Sequence, residues 1–182
     1  CGTLASHVEK LAMQGFIGIM VANTPAAIAP WGGNKPLYGT NPIAVAAPRA
    51  GQDPLVIDLS LSVVARGKVM NAKKTGQSIP EGWALDKDGQ PTTDPNAALD
   101  GGTMVPIGEA KGTALALMVE ILAASLTGAN TSADMPSFFA SSGPSANAGQ
   151  FLIAIKPNDI RGFTARTEAL LNDIAKTPGA RI

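Results

Sequence analysis

The pattern of apolar and polar positions along the chain predicts strands and helices in alternation. Four short apolar runs, each bounded by turn-forming residues, predict strands. They are residues 16–23 ("FIGIMVAN"), 43–49 ("IAVAAPR"), 54–60 ("PLVIDLS") and 151–157 ("FLIAIKP"). Because these runs are almost uniformly apolar, we expect the sheet that they form to be covered on both faces.

Apolar residues at helical spacing predict helices over residues 8–13, 62–75 and 164–175. A longer helix begins at Gly112 and ends near residues 128–130. Its apolar positions cover most of the helix circumference, so we expect it to be buried on nearly all sides. Those positions are Leu115, Leu117, Met118, Ile121, Leu122 and Leu126.

The remaining segments are rich in proline, glycine and asparagine, which is typical of loops. They are residues 24–42, 78–99 and 135–150. Within the second segment, Asp88 and Gly89 predict a tight turn, and Asp94 followed by Pro95 predicts the N-cap of a short helix. Strands mixed with helices indicate an α/β or α+β fold, a layered mixed sheet with flanking helices. The absence of a G-x-G-x-x-G sequence argues against an ordinary Rossmann domain.

The amino-acid composition argues against some classes of binding partner. The chain has 182 residues, 45% of them apolar and 15% charged, which fits one globular domain. Fourteen basic residues balance fourteen acidic ones, and only 4% are aromatic. A neutral chain with few aromatic residues does not have the surface that nucleic acids or anionic membranes require. The apolar run 113–126 contains Glu120 and is too short to span a bilayer.

One cysteine (Cys1) and one histidine (His7) limit the chemistry further. They cannot supply the three or four protein ligands of a usual zinc site, so no metal is expected. The lone cysteine cannot form an intrachain disulfide, which favours a reducing, cytoplasmic location. His7 has no placed partner for acid–base work, and we interpret it as an ordinary surface histidine.

The loop "GEAKG" at residues 108–112 places Lys111 where the long apolar helix begins. Helix N-terminal amides and a lysine both favour an anion such as a phosphate or carboxylate. The alternative is a solvated lysine in a surface turn. Asp58 follows a strand, where a carboxylate either contacts a ligand or caps a helix. Thr40 and Asn41 in "YGTNP" either orient a small polar ligand or form a turn before Pro42.

Several blocks of the chain together resemble the type 2 malate/L-lactate dehydrogenase family. The family includes ureidoglycolate dehydrogenase, diketogulonate reductase, sulfolactate dehydrogenase and Δ1-piperideine-2-carboxylate/Δ1-pyrroline-2-carboxylate reductase. The matching blocks are "APWGGNKPLYGTNPIAVAAPR", "VIDLSLSVVARGKV", "GQPTTDPNAALDGG", "PIGEAKGTALALMVEILAASLTGAN" and "GQFLIAIKP".

The resemblance implies a non-Rossmann NAD(P)-binding domain in a soluble, homodimeric enzyme. Such an enzyme transfers hydride between NADP or NAD and C2 of a small 2-hydroxy, 2-oxo or cyclic 2-imino acid. The family pattern assigns cofactor contacts to Thr24, Asp58, Leu59, Ser60 and Lys111. It places Thr40 and Asn41 near the reacting centre.

The chain departs from the family pattern at its start. Cys1 and Gly2 align with the last two residues of a His-aromatic-Gly motif, so the proton-transferring histidine would lie immediately before Cys1. We therefore expect residues 1–182 to be a single NAD(P)-binding domain cut from a longer enzyme and inactive alone. Ala110 also stands where many members carry a larger aromatic residue or histidine.

Two substrate classes and one rival function stay open. The substrate is an open-chain 2-oxo acid or a cyclic imine acid, and the block at residues 137–151 favours the cyclic imine by resemblance. The rival is a non-catalytic nucleotide- or anion-binding module with the same fold. A histidine before Cys1 would support the enzyme, and its loss would support the module.

Overall fold

The computed structural model describes residues 3–138 and 142–181, which form a mixed α/β fold with five α-helices and seven strands in these ranges. The elements, in chain order, are α1 (Ala5–Met13), β1 (Ile17–Ala22), β2 (Ile43–Ala47), β3 (Leu55–Leu59), α2 (Arg66–Thr75), β4 (Ala84–Leu85), β5 (Pro91–Thr92), α3 (Pro95–Leu99), β6 (Thr103–Met104), α4 (Ala110–Glu120), β7 (Gln150–Ile155) and α5 (Ile160–Lys176).

Contacts divide the chain into two compact units, which are described separately. The first unit comprises the described residues of Cys1–Met20, Ala44–Asp58 and Leu152–Ile182. The second comprises those of Val21–Ile43 and Leu59–Phe151. One cofactor-binding domain over residues 1–182 stays a prediction.

All four predicted strands are present, and they form one sheet in the order β3-β2-β1-β7. The expected coverage of both faces is wrong for the outer strands: Ile57 of β3 is 47% exposed and Leu152 of β7 is 49% exposed. The central strands β1 and β2 hold the buried side chains of the sheet. An apolar sequence makes burial possible, but the elements that pack nearby decide whether it occurs.

In the first unit, α1 begins three residues earlier than the predicted position 8, and α5 extends beyond both predicted ends. Asp159 caps α5 by accepting a hydrogen bond from the Gly162 amide at 2.9 Å. The Arg49 guanidinium donates to both carboxylate oxygens of Glu168 at 2.7 and 2.9 Å. These hydrogen bonds are the main reason that the pKa of Glu168 lies below its ordinary value.

The second unit contains an antiparallel three-stranded sheet in the order β5-β4-β6. The predicted turn at Asp88 and Gly89 connects β4 to β5. Asp86 stabilises it by accepting hydrogen bonds from the Asp88 and Gln90 amides, both at 2.9 Å, and Gly89 adopts φ +80°. The segment 78–99, predicted to be a loop with one short helix, also contains the two short strands β4 and β5.

Two predicted helix starts in the second unit have different outcomes. The Asp94 side chain accepts from the Asn96 amide at 2.8 Å and Pro95 begins α3, which confirms the predicted N-cap. The helix expected from residue 62 begins only at Arg66. The Ser62 hydroxyl donates to the Val64 carbonyl at 2.7 Å, a local bond that competes with helical pairing.

The long helix α4 continues into a π-helical segment (Ile121–Ser125), which the sequence pattern did not predict. The expected burial on nearly all sides is wrong, because large side chains such as Leu117 (47% exposed) and Leu126 (63% exposed) face outward. Small side chains and one carboxylate face inward instead. The buried positions are Gly112, Thr113, Ala116, Val119, Glu120, Ala123 and Ala124. In the described ranges, no helix combines the length and the apolarity needed to cross a bilayer.

A glycine sets the close approach of a later loop to the π-helical segment. A Cβ on Gly149 would overlap the Ala123 carbonyl oxygen. We expect Gly149→Ala to lower the free energy of unfolding by about 3 kcal/mol, because backbone must move to admit the methyl group. Urea denaturation measures this effect. The matched control is Gly67→Ala in α2, where no atom lies within 4 Å of the new Cβ. That change should stabilise the protein by up to about 1 kcal/mol. Equal stabilities of the two variants would contradict the prediction.

Candidate functional site

Backbone hydrogen bonds bring three separate blocks of the second unit together. The Leu61 amide donates to the Thr40 carbonyl at 2.7 Å, and the Ile107 amide donates to the Leu61 carbonyl at 2.9 Å. The turn that carries Thr40, the segment that carries Ser60 and the entrance to α4 therefore lie side by side. The sequence places these blocks far apart along the chain.

Two threonine hydroxyls form a pair at the centre of this region. Thr24 Oγ1 accepts a hydrogen bond from the Thr40 amide at 2.9 Å, and the two hydroxyl oxygens are 3.3 Å apart. Both side chains are half-buried. Gly39 permits this approach, since a Cβ there would overlap the Thr24 carbonyl oxygen. The structure thus brings together two residues that the family pattern assigns to different ligands.

Asn41 lies next to this pair, but its side chain points into the core. It is 0% exposed and adopts φ +36°, an uncommon conformation for a residue other than glycine. Its Nδ2 donates to the Ala116 carbonyl at 3.1 Å and to Glu120 Oε1 at 2.7 Å, while its Oδ1 accepts from the Thr24 amide at 3.3 Å. The amide is satisfied by protein atoms, and a direct contact with substrate stays a prediction.

A small cavity of about 130 Å³ adjoins the threonine pair. It exceeds the share of one water molecule, ~30 Å³, and is smaller than the ~300–1,000 Å³ of pockets for drug-sized ligands. The cavity therefore suits a compact ligand of a few heavy atoms. Its lining residues are Thr24, Pro25, Thr40, Arg66, Ser137 and Phe138.

Arg66 is the lining residue that sequence reasoning missed. It is the first residue of α2 and is half-buried, and its Nη1 donates to the Ala26 carbonyl at 2.8 Å. Burial lowers the pKa of the guanidinium from its ordinary value, although an arginine stays charged. No carboxylate within residues 3–138 and 142–181 forms an ion pair with it.

The sequence contains a signal for Arg66, but the helix predicted over residues 62–75 hides it. Arg66 is the first charged residue after the serine and the apolar residues of "SVVA". A helix that begins at residue 62 would place Arg66 one turn inside it. The helix begins at Arg66 instead, and the arginine side chain lines the cavity.

Ser60 and Leu59 were predicted as cofactor contacts on the segment before α2. The Ser60 hydroxyl lies 3.2 Å from that of Ser62, which donates in turn to the Val64 carbonyl. Leu59 is 41% exposed. Both residues are thus accessible at least in part, and their contact with cofactor stays a prediction.

Lys111 is exposed in the first turn of α4, an eleven-residue helix without a side-chain N-cap. The loop before it turns sharply, with positive φ at Gly108 and Glu109. Gly112 lets this loop fold back, because a Cβ there would overlap the Ile107 carbonyl oxygen. The Lys111 and Gly112 amides donate to the Gly108 and Glu109 carbonyls, both at 3.1 Å, so the exposed Lys111 ammonium and the positive end of the helix dipole are what would favour a phosphate group here.

Asp58 lies in the first unit and caps a helix there. Its Oδ2 accepts from the Thr3 hydroxyl at 2.7 Å and from the Ala5 amide at 2.8 Å. The helix-cap alternative is thus realised, although for α1, which precedes Asp58, rather than for the segment that follows. A contact of Asp58 with cofactor stays a prediction.

The larger cavity and the other residues considered for chemistry are not part of this site. A larger cavity of about 710 Å³ is lined by residues near Trp31, Asp88 and Thr103, none of them a predicted site residue. Within the described part of the chain, no three His, Cys, Asp or Glu side chains are grouped as a metal site would require. His7 lies on α1. Cys1 and Gly2, which align with the histidine motif, and residues 139–141 of the block at 137–151 lie outside the described residues.

Known proteins similar to this chain identify its family. The sequence model of the malate/L-lactate dehydrogenase family matches residues 1–182, so the chain belongs to this family and the resemblance found in its sequence is confirmed. The chain is 53% identical over 182 residues to (2R)-3-sulfolactate dehydrogenase (NADP(+)) of Chromohalobacter salexigens, covering 100% of this chain and 54% of that protein. It is 44% identical over 184 residues to Δ1-pyrroline-2-carboxylate/Δ1-piperideine-2-carboxylate reductase of Pseudomonas putida, covering 96% and 53% respectively.

Solved structures agree with this assignment. Δ1-piperideine-2-carboxylate reductase from Pseudomonas syringae pv. tomato superposes with a TM-score of 0.89 at 41% identity, over 99% of this chain and 55% of that chain. Sulfolactate dehydrogenase from Methanocaldococcus jannaschii gives 0.85 at 36% identity, over 99% and 52%. The predicted mixed α/β class is therefore confirmed. The chain spans about half the length of the curated relatives it matches.

The cap formed by Asp58 gives a direct test of its structural role. We expect Asp58→Ala to lower the free energy of unfolding by about 1 kcal/mol, because the first turn of α1 loses an acceptor. Asp58→Asn keeps an acceptor oxygen and should retain most of the stability. Urea denaturation measures both, and NADPH titration of the same variants reports on the predicted cofactor contact. An alanine variant as stable as the unaltered protein would rule out the capping role.

Proposed function

We propose that this chain binds the substrate and cofactor of a nicotinamide-dependent oxidoreductase. The reaction would interconvert a small 2-oxo or cyclic 2-imino acid with its reduced form at C2. The observation that carries the proposal is the Arg66 guanidinium, desolvated beside two hydroxyls and without a carboxylate partner in the described part of the chain. A half-buried cation beside a cavity of this size favours an anionic ligand.

A substrate carboxylate fits the cation best. The guanidinium presents a planar fork of donors that matches the two oxygens of a carboxylate. The Thr24 and Thr40 hydroxyls can donate to or accept from a neighbouring oxo, hydroxy or imino group. All the substrate names carried by the relatives described above share a carboxylate next to such a carbon. Each of these compounds could bind in the same orientation, with its carboxylate held by Arg66.

The cofactor would be NADP or NAD, with hydride chemistry supplied by its nicotinamide ring when bound. The Lys111 ammonium, together with the positive end of the α4 dipole, would hold an anionic group of this cofactor. The relative from C. salexigens carries NADP(+) in its name, which favours NADP here. Asp58, Leu59 and Ser60 stay proposed cofactor contacts, whereas for Thr24 the substrate is the better candidate, because its hydroxyl lies 3.3 Å from that of Thr40 and lines the same cavity as Arg66.

The proton for the reaction would come from outside residues 1–182. None of the cavity's lining residues is a histidine, carboxylate, lysine or cysteine. This supports the proposal that the chain is the cofactor-binding domain of a longer enzyme whose family histidine lies before Cys1. The same observation favours the rival function, a module that binds a nucleotide or small acid without chemistry.

We further propose a homodimer in the cytoplasm, with no nucleic acid or membrane as partner. The balanced charge and low aromatic content of the sequence support the absence of a nucleic-acid surface. The outward apolar side chains of α4 support a protein partner, because contiguous exposed apolar surface commonly marks an interface.

A substrate panel tests the proposed reaction. The full-length protein would be assayed with NADPH and NADH against 3-sulfopyruvate, oxaloacetate, pyruvate, Δ1-pyrroline-2-carboxylate and Δ1-piperideine-2-carboxylate. We expect turnover with NADPH of at least one acid, and the preferred acid decides between the open-chain and cyclic classes. Binding of NADPH and acid without any turnover would favour the non-catalytic module.

Two variants separate the proposed substrate and cofactor contacts. We expect Arg66→Gln to raise the KM of the preferred acid by roughly 10–100-fold, because a charge-assisted contact is lost. Its NADPH dissociation constant should stay unchanged. Lys111→Ala should do the reverse and weaken NADPH binding by roughly tenfold with little effect on the acid. Steady-state kinetics and fluorescence titration measure the two quantities. Equal effects of both variants on both ligands would contradict the assignment.

A further inference from the structure

The proposed function leaves one buried polar cluster unexplained. It consists of Asn41, Glu120 and Ser132, and we call it the Glu120 cluster. We propose that this cluster is a positioning device that fixes the Thr24–Thr40 hydroxyl pair for the substrate. The inference rests on the proposed function and assigns Asn41 to positioning rather than to direct contact with the ligand.

The carboxylate of Glu120 is the centre of the cluster. It lies at the last residue of α4 and is 8% exposed. It accepts a hydrogen bond from Asn41 Nδ2 at 2.7 Å, another from the Ser132 amide at 3.1 Å, and a third from the Ser132 hydroxyl. A carboxylate away from water requires this kind of full donor set.

Asn41 transmits the position of Glu120 to the site. Its Nδ2 is directed at Glu120 and at the Ala116 carbonyl, so its Oδ1 is directed at the Thr24 amide, 3.3 Å away. Thr24 Oγ1 then accepts from the Thr40 amide. The orientation of both hydroxyls therefore depends on which way the Asn41 amide faces.

The polarity of this arrangement has one solution. The Asn41 Nδ2 group and the Ser132 amide can only donate and they meet different oxygens of Glu120, so both of these oxygens are acceptors. Glutamine at position 120 would place its NH₂ group against either the Ser132 amide or Asn41 Nδ2, which are both donors. Aspartate at position 41 would place two carboxylates against each other. Each single change disturbs the cluster, whereas the exchange of both groups restores one donor–acceptor contact between them.

The backbone at Asn41 also points to a role beyond filling the core. A non-glycine residue at φ +36° is conformationally costly, and such residues concentrate at functional sites. The same helix carries Lys111 in its first turn and Glu120 at its end, about 14 Å apart at the rise of an α-helix. One rigid element would thus set the spacing between the cofactor lysine and the substrate threonines.

The experiment uses four variants of the full-length protein: Glu120→Gln, Asn41→Asp, the double variant, and Val119→Ala as control. Val119 is the fully buried neighbour of Glu120, and its truncation disturbs the same helix without touching the Glu120 cluster. The readouts are the KM of the preferred acid, its dissociation constant by calorimetry, the dissociation constant of NADPH, and the midpoint of thermal unfolding. Δ1-pyrroline-2-carboxylate and 3-sulfopyruvate serve as the acid probes.

We expect each single polar variant to raise the KM and dissociation constant of the acid by about tenfold, with NADPH binding unchanged. The double variant should bind the acid better than Asn41→Asp, because the donor–acceptor contact between positions 41 and 120 returns while the bond to the Ala116 carbonyl stays lost. Val119→Ala should lower the unfolding midpoint and leave acid binding unchanged.

Three results would overturn the inference. They are unchanged acid binding in both single variants, a loss in Val119→Ala as large as theirs, and a double variant as impaired as the worse single one. Failure of the proposed function would give a different result, because the unaltered protein would then neither bind an acid probe nor convert it. That result removes both proposals together.

Discussion

The second unit is organised around the buried carboxylate of Glu120. A charge out of water must collect hydrogen-bond donors, and the donors here come from two distant loops. Asn41 brings the loop before β2, and Ser132 brings the segment after α4. The hydrogen-bonding requirement of the two carboxylate oxygens thereby fixes where both segments run, and both segments supply residues that line the cavity beside Arg66.

Close approach of backbones is the second constraint on this unit. The inner face of α4 and its π-helical continuation consists largely of glycine, alanine and threonine, and Gly149 packs directly on the carbonyl of Ala123. Large side chains on that face would hold the loops away from the helix. The leucines of α4 therefore lie on the other face, the opposite of an ordinary amphipathic helix.

The sequence predicted local structure well where the responsible residues are neighbours. The cap at Asp94, the turn at Gly89 and the four main strands each depend on short-range chemistry that a pattern can reveal. The same reasoning failed for the burial of α4, because periodicity counts apolar residues and cannot tell which face meets a neighbour. It also missed Arg66, whose importance depends on where a helix begins and on what lies beside it.

The hydrogen bond from the Ala5 amide to Asp58 joins residues 53 positions apart in the chain. A nine-residue helix such as α1 is marginal alone in water. Its first turn gains an acceptor only after β3 has docked, and contacts of such sequence separation form slowly. We therefore expect helix α1 to form late in the folding reaction, although it precedes the other helices and strands of residues 3–138 and 142–181.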